Sequence, residues 1–184
     1  MTTDVYVWYN IISFARSARG VRACNWRTRE KGDTPYMEIA IIAHDLKKEL
    51  MTQFCIAYCG ILSKHNLCAT SITAKYISEA TGLEIERLLA GIQGGKQQIA
   101  SRISCNEIDV LLYFKDTRPD AKADEVETEL LRLCDLYNVP VATNIATAEV
   151  IITALDRGDL DWRAFVNPRS SYNRPTAGVG KKKG

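Results

Sequence analysis

Short apolar runs alternate with segments of helical periodicity from residue 37 onwards, and this alternation constrains the fold more than any other feature. The clearest runs are E-I-A-I-I-A at 38–43 and I-D-V-L-L-Y-F at 108–114, and runs of this kind are typical of buried strands. Further strands are predicted at 67–70, 85–89 and 139–143. Helices are predicted at 46–63, from Ser71 or Thr73 to Ala80, at 96–104, at 125–137 and from Thr147 to about Gly158. The order predicts a doubly wound α/β domain, with a parallel sheet and helices on both faces.

Charge is distributed unevenly along the 184 residues and suggests the domain limits. Residues 37–168 form the predicted domain and carry 13 basic and 19 acidic residues, which argues against a broad nucleic-acid-binding face. Residues 1–36 are an extension of uncertain status, for which a targeting segment and a plain extension both remain open. Residues 169–184 hold five basic residues and no acid, and we expect a disordered basic tail. No apolar run is long enough to span a membrane.

Six cysteines are scattered through the chain without any Cys-x-x-Cys pair. Cys55 and Cys59 lie one helical turn apart, but a metal would need two further ligands and the chain has only two histidines. We therefore expect buried, reduced thiols, with Cys55, Cys68, Cys105 and Cys134 in apolar or helical surroundings. Reduced thiols predict a cytoplasmic protein.

Small, polar and charged residues follow the predicted strands at their carboxyl ends, where ligands bind in doubly wound sheets. His44 and Asp45 follow the first strand, and Lys48 lies one turn beyond His44 on the same helix face. Ser71 and its neighbouring threonines follow the second strand. A hydroxyl-rich helix start can hold a phosphate, and so can the N-terminus of a helix by itself. Plain helix capping is the alternative at each junction.

A third junction, A-G-I-Q-G-G-K-Q-Q-I-A at 90–100, combines glycines with Lys96. It is not a Walker P-loop, because Gln97 stands where that motif needs Ser or Thr. Three helix starts at one edge predict a small phosphorylated ligand.

The motifs together resemble the methylglyoxal synthase family over residues 37–168. They are A-H-D-L-K-K at 43–48, A-T-x-x-T at 69–73, G-x-x-G-G-x-Q-Q at 91–98, N-E-I-D-V-L-L-Y-F-K-D at 106–116, V-P-V-A-T-N-I-A-T-A-E at 139–149 and R-G-D-L-D-W-R at 157–163. The resemblance implies an α/β lyase, commonly a homohexamer. Such a lyase converts dihydroxyacetone phosphate to methylglyoxal and phosphate, a glycolytic bypass, and needs no cofactor or metal.

The resemblance also implies roles for individual residues. His44 and Lys48 would contact the substrate, with Asp45 beside them and Lys48 on the phosphate. Asp116 would belong to the polar network of the site. The implied phosphate cradle consists of Thr70, Ser71, Ile72, Thr73, Ala90, Gly91, Gly94 and Gly95.

Several positions depart from the family pattern. Lys96 stands where the family has the aspartate that removes the substrate proton. The family's A-T-G-T-T-G loop reads A-T-S-I-T-A at 69–74, without its two glycines, and Ala90 replaces a serine. Residues 123–126 read A-D-E-V, so the family's substrate-polarising histidine and its aspartate are missing. Asp124 is the one acid near enough to compensate.

These departures leave three hypotheses about function. A lysine in water has a pKa of about 10.4, and a phosphate beside it favours the charged form, which cannot act as a base. The first hypothesis is a protein that binds a small phosphorylated metabolite, with weak or absent lyase activity and Lys96 as an extra anion contact. The second is an active synthase with rearranged acid–base groups, and the third is a non-catalytic effector-sensing or structural oligomer.

Overall fold

The computed structural model describes residues 36–118 and 125–169. Their core is one sheet of five parallel strands in the order β3-β2-β1-β4-β5. The strands are β1 Glu38–Ala43, β2 Asn66–Thr70, β3 Ile85–Leu88, β4 Val110–Phe114 and β5 Val141–Ala142. The helices are α1 Lys48–Ala57, α2 Cys59–Leu62, α3 Ser71–Thr81, α4 Gly95–Ser104, α5 Glu125–Leu136, α6 Ile145–Asp156 and α7 Arg163–Val166, and short 3₁₀ turns span Asp45–Lys47 and Gly91–Gln93.

Helices cover both faces of the sheet, so the predicted doubly wound α/β class is confirmed. On one face, Ile41 and Phe114 of the sheet belong to a buried cluster with residues of α1, α3 and α6. On the other face, Ile42 and Tyr113 share a cluster with residues of α4 and α5. The alternation along β1 and β4 produces this division, because successive side chains of a strand point to opposite faces.

Several predicted elements are shorter in the structure than in the sequence pattern. The strand predicted at 108–114 begins only at Val110, and the strand predicted at 85–89 ends at Leu88. The predicted helix at 46–63 is interrupted at Tyr58, whose backbone (φ −108°, ψ 19°) is not helical, and it therefore divides into α1 and α2. The strand predicted at 139–143 reduces to Val141–Ala142. Pro140 has no N–H to donate, and the N–H of Val139 bonds to the carbonyl of Cys134 at 2.8 Å.

A buried ion pair fixes α7 against the start of β4. The side chain of Arg163 is fully buried, and its Nε lies 3.5 Å from Oδ1 of Asp109, which is itself buried. The guanidinium also donates to the carbonyls of Tyr137 and Ile108, each at 2.9 Å. The segment that contains α7 is thus held at the amino end of the strands, away from their carboxyl ends.

The described cysteines are free thiols with differing exposure. Cys55, Cys68 and Cys134 are buried, and burial raises the pKa of each thiol to about 12. Cys105 follows α4 and is exposed, so the expectation that it is buried was wrong. No helix within 36–118 and 125–169 is long and apolar enough to cross a membrane. The expectations for residues 1–35 and 170–184 lie outside the described residues.

Candidate anion-binding site at the strand ends

The strand order reverses between β1 and β4, and the predicted site residues lie around that point. The chain moves from β1 towards β3 on one side, then returns to place β4 and β5 on the other side. Ligands of such sheets bind in the crevice at the carboxyl ends of the two strands that flank this reversal. His44 follows β1 directly, and its N–H donates to the carbonyl of Phe114, the last residue of β4, at 2.9 Å.

His44 turns its ring towards the end of β4. Its Nδ1 accepts a hydrogen bond from the N–H of Leu46 at 3.4 Å. The proton of a neutral ring is therefore on Nε2, which lies 3.9 Å from Oδ2 of Asp116. The side chain of His44 is 40% exposed, so this N–H is available to a ligand at the crevice.

Asp116 is held by Arg118, which the sequence analysis did not single out. Nε and Nη2 of Arg118 donate to Oδ2 of Asp116 at 3.0 and 2.7 Å, and the Arg118 N–H donates to Oδ1 at 3.1 Å. These bonds lower the pKa of Asp116 to about 2. The pattern of an aspartate that accepts from the N–H two residues later is an Asx turn, and D-x-R was the available sequence signal.

Asp45 and Lys48 form an ion pair at the start of α1. Nζ of Lys48 donates to Oδ1 of Asp45, and this bond lowers the pKa of the carboxyl. The Lys48 side chain is only 12% exposed, whereas that of Asp45 is 83% exposed. Nζ also lies 6.0 Å from the centroid of the Tyr76 ring. The ammonium of Lys48 is thus held between Asp45 of the preceding 3₁₀ turn and Tyr76 of α3.

The hydroxyls after β2 have different environments. Oγ1 of Thr70 donates to Oγ1 of Thr73 at 3.2 Å, and both residues are buried. Ser71 is half-buried, and its N–H lies 3.4 Å from the carbonyl of Leu89. Ile72 is 47% exposed. Ser71 and Ile72 also line a groove of about 600 Å³ that is otherwise formed by Lys75, Tyr76, Glu79 and Arg87.

The glycine loop, residues 90–95, is a close-packed turn. The carbonyl of Ala90 accepts from the N–H groups of Gln93 and Gly95 at 2.8 and 3.0 Å. Gly94 has a φ of +100°, a conformation that favours glycine. A Cβ on Gly95 would lie 2.1 Å from the carbonyl oxygen of Leu89, so Gly95 permits α4 to begin directly against the chain that leaves β3.

Lys96 lies in the first turn of α4. Its Cε is 3.9 Å from the position of a Cβ on Gly91, and its Nζ is 5.7 Å from the centroid of the Tyr113 ring. The Tyr113 hydroxyl donates to Oε2 of Glu127 at 3.1 Å, and Lys115 pairs with Oε1 of Glu127 at 3.3 Å. The Lys96 ammonium is therefore placed at the end of β4 by contacts that the sequence pattern did not indicate.

Taken together, the predicted residues lie at the ends of neighbouring strands and at the helix starts that follow them. Direct contacts join His44 to Asp116, Asp45 to Lys48, and Thr70 to Thr73. Asp124 lies outside the described residues. The arrangement offers lysine ammonium groups, a histidine N–H and helix N-termini, which suit an anionic ligand. Among the described residues no group of three or more His, Cys, Asp or Glu could hold a metal ion.

A larger cavity of about 790 Å³ lies at the opposite end of the strands, where they begin. Its lining includes Glu38 and Asn66 from the amino ends of β1 and β2, together with His65 and Arg169. Ligands in sheets of this class bind at the carboxyl ends of the strands. The strand reversal therefore remains the candidate site despite the size of this cavity.

Comparisons with known proteins agree with the fold and with the motifs. Residues 53–143 match the model of the MGS-like domain. Methylglyoxal synthase of Caldicellulosiruptor saccharolyticus is 56% identical over 138 residues, which are 75% of this chain and 98% of that protein. Methylglyoxal synthase of Oceanobacillus iheyensis is 47% identical over 133 residues, 72% of this chain and 95% of that protein.

A solved structure is also similar. The crystal structure of methylglyoxal synthase from Elizabethkingia anophelis NUHP1 superposes with a TM-score of 0.58 at 36% sequence identity, and the match covers 64% of this chain and 78% of that chain. The matches to the two methylglyoxal synthases above cover 98% and 95% of those proteins. The chain therefore belongs to the methylglyoxal synthase family.

Proposed function

We propose that this protein binds a small phosphorylated metabolite of the triose phosphate class at the strand ends, with weak or absent lyase activity. The observation that carries the proposal is the placement of Lys96, whose ammonium lies over the Tyr113 ring at the end of β4. The family resemblance puts the catalytic aspartate at this position. A protonated lysine there binds an anion but removes no proton.

Two carboxylates among the predicted site residues, Asp116 and Asp45, are poor replacements for the missing base. Bonds from Arg118 lower the pKa of Asp116 to about 2, and the bond from Lys48 lowers the pKa of Asp45. A general base acts best when its pKa lies near the working pH. Both carboxylates are charged at neutral pH but weakly basic, which supports binding over catalysis.

Binding can be tested by calorimetry with dihydroxyacetone phosphate and with inorganic phosphate at pH 7.5. We expect the metabolite to bind and Lys48→Gln to weaken it about tenfold or more, because a charge-assisted bond is lost. Lys64→Gln is the matched control, since Lys64 is an exposed lysine near the amino ends of the strands and pairs with Asp156 at 2.9 Å. The proposal would be refuted if neither dihydroxyacetone phosphate nor inorganic phosphate binds to the protein.

An active methylglyoxal synthase is the second candidate. The observation that favours it is the 56% identity to a protein named methylglyoxal synthase, which this chain covers over 98% of its length. In that case Lys96 would stabilise the enediolate and another group would take the proton. Formation of methylglyoxal separates this candidate from the first.

We also propose that copies of the chain assemble into a homo-oligomer. The family resemblance implies that this oligomer is a hexamer. Exposed apolar side chains near the site support this, with Ile92 97%, Leu46 60% and Ile72 47% exposed. Light scattering after gel filtration measures the assembly. A monomer at micromolar concentration would contradict it.

A further inference from the structure

The cavity at the amino ends of the strands has the dimensions of a second ligand site, separate from the strand reversal. Its volume is about 790 Å³, and cavities of roughly 300–1,000 Å³ hold small organic ligands. Part of its wall is apolar, since the buried side chains of Leu62, Leu67 and Leu83 line it together with Ile85. The cavity can therefore enclose the apolar body of a small molecule.

Glu38, the first residue of β1, contributes a buried carboxylate to the lining of this cavity. Its side chain is only 7% exposed. Oε1 accepts a hydrogen bond from Nδ2 of Asn66 at 2.8 Å, whereas Oε2 lies 3.6 Å from Nη2 of Arg102, which is beyond the usual length of a hydrogen bond. Burial of a carboxylate is costly unless its oxygens are hydrogen-bonded. Oε2 is therefore suited to accept a hydrogen bond from a ligand.

Arg102 is shared among three carboxylates and cannot neutralise all of them. Its Nη1 donates to Oε2 of Glu86 at 2.9 Å, while its Nη2 and Nε each lie 3.6 Å from an oxygen of Glu38 and of Glu107. Nη2 and Nε are buried and make no hydrogen bond. Glu107 also pairs with Arg169 at 3.4 Å. This network thus has one carboxylate more than it has guanidinium groups.

The other charged groups of the lining do not offset this negative charge. Lys64 is paired with Asp156 at 2.9 Å, so the two together add no net charge. Burial lowers the pKa of His65 to about 4, so its ring is neutral at neutral pH. Glu84 is a further carboxylate of the lining and pairs with no cation in the part of the chain that the structure describes. Negative charge is therefore in excess around the cavity at neutral pH.

We propose that this cavity binds a protonated organic amine with a short apolar body. The ammonium donates to Oε2 of Glu38, and the body lies against the apolar part of the wall. A metal ion fits less well, because within residues 36–118 and 125–169 no group of three or more His, Cys, Asp or Glu could hold one. An anionic ligand would be repelled by the carboxylates.

Titration of the full chain with three probes of similar shape tests the proposal at neutral pH. 2-Phenylethylamine carries the ammonium, 2-phenylethanol is its neutral counterpart, and 3-phenylpropionate carries a carboxylate instead. We expect the amine to bind about tenfold more tightly than the alcohol, the effect of one charge-assisted hydrogen bond, and the propionate to bind more weakly than the alcohol. Amide NMR spectra locate the site, since the N–H signals of Asn66 and Leu83 should shift on titration and that of His44 should not.

Variants assign the preference to the carboxylates of the lining. Glu38→Gln keeps the shape of the side chain but removes its charge, so the amine should lose most of its advantage over the alcohol. Glu84→Gln changes an exposed residue and should weaken the amine severalfold, and it decides the question if Glu38→Gln does not fold. Glu49→Gln is the matched control, because Glu49 lies in the first turn of α1 at the other end of the strands. Circular dichroism checks that each variant is folded.

The outcomes that would overturn the proposal are distinct from those that bear on the strand-end site. The proposal is wrong if the amine does not bind, if the alcohol or the propionate binds as tightly as the amine, or if Glu84→Gln and a folded Glu38→Gln both keep the full preference. It is also wrong if the shifted signals belong to the strand-end residues. Binding of dihydroxyacetone phosphate should be unchanged by the amine, so that either site can fail its test without the other.

Discussion

The guanidinium of Arg118 donates two hydrogen bonds to Oδ2 of Asp116, from Nη2 at 2.7 Å and from Nε at 3.0 Å. The same oxygen lies 3.9 Å from Nε2 of His44. Asp116 is therefore bonded to Arg118 rather than to His44, the histidine that follows β1. This relationship determines how basic the carboxylate is and how the end of β4 is charged.

Removal of Arg118 should make Asp116 more basic. In Arg118→Leu we expect the pKa of Asp116 to rise from about 2 towards the ordinary value of about 3.9. At pH values above the pKa of this carboxyl in the unfolded chain, its lowered pKa in the wild type stabilises the fold. This contribution is lost as the pH falls towards 2. Carboxyl-detected NMR titration measures the shift.

Arg132→Leu is the matched control for that titration. Arg132 binds both oxygens of Glu129 at 2.8 Å in another bidentate arginine–carboxylate pair, an exposed one on α5. Its loss should leave Asp116 unchanged. An Asp116 pKa that stays near 2 in Arg118→Leu would show that Arg118 does not cause the low value.

The sequence predicted the fold more completely than the site because periodicity determines burial. The runs that became β1 and β4 are buried along their whole length, and such runs give strong signals. The helix predicted to end at Ala80 ends one residue later, at Thr81, where Gly82 caps it with a φ of +72°. The interruption at Tyr58 was missed, since apolar residues continue with helical spacing on both sides of it.

The contacts within the site could not be predicted, because they depend on side-chain directions at loop positions. The pattern placed His44 at a strand end and the resemblance assigned Asp116 to the site, but the bond from Arg118 to Asp116 requires the particular turn at 116–118. The Tyr113 ring beneath Lys96 depends on which face of β4 each residue takes and on where α4 begins. The roles of these residues remain predictions.

Gly95 should tolerate no side chain. In Gly95→Ala the new Cβ would lie 2.1 Å from the carbonyl oxygen of Leu89, and this backbone atom cannot move without displacing the loop. We expect unfolding to become easier by more than about 2 kcal/mol. Urea denaturation measures the loss.

Gly60→Ala is the matched control for Gly95→Ala. Gly60 lies in α2, and no atom lies within 4 Å of a Cβ built there. Alanine should therefore be neutral or should stabilise by up to about 1 kcal/mol. Equal effects of the two substitutions would contradict the packing described at Gly95.

His65 should make the stability of the fold depend on pH. Burial lowers its pKa to about 4, and its Nδ1 accepts a hydrogen bond from the N–H of Met37 at 3.3 Å. Between about pH 6.5 and 4 the unfolded chain binds a proton here that the folded chain does not. Stability should thus fall by up to about 1.4 kcal/mol per pH unit as the pH decreases through this window.

Denaturation of the wild type and of His65→Gln at several pH values isolates this contribution. Glutamine retains an oxygen that can accept from Met37 but does not titrate. The difference between the two stability curves should grow as the pH falls from 6.5 to 4. Parallel curves would exclude a buried neutral His65.

The pair of Arg163 and Asp109 should matter far more than a surface pair. Both side chains are at least 99% buried, so Arg163→Met leaves an uncompensated carboxylate in the core. We expect a loss of about 3–5 kcal/mol in the free energy of unfolding. Arg157→Met removes an exposed pair with Asp159 and should cost less than about 1 kcal/mol. Similar losses would argue against the buried network.

The rate of methylglyoxal formation from dihydroxyacetone phosphate tests the central claim most directly. Methylglyoxal synthase of Caldicellulosiruptor saccharolyticus, 56% identical to this chain, serves as the reference in the same assay. We predict that the wild type binds the substrate but turns it over at least about 100-fold more slowly than the reference, the scale of a lost general base. Lys96→Asp should then raise the rate. Wild-type turnover equal to that of the reference, reduced by Lys96→Asp, would contradict the account.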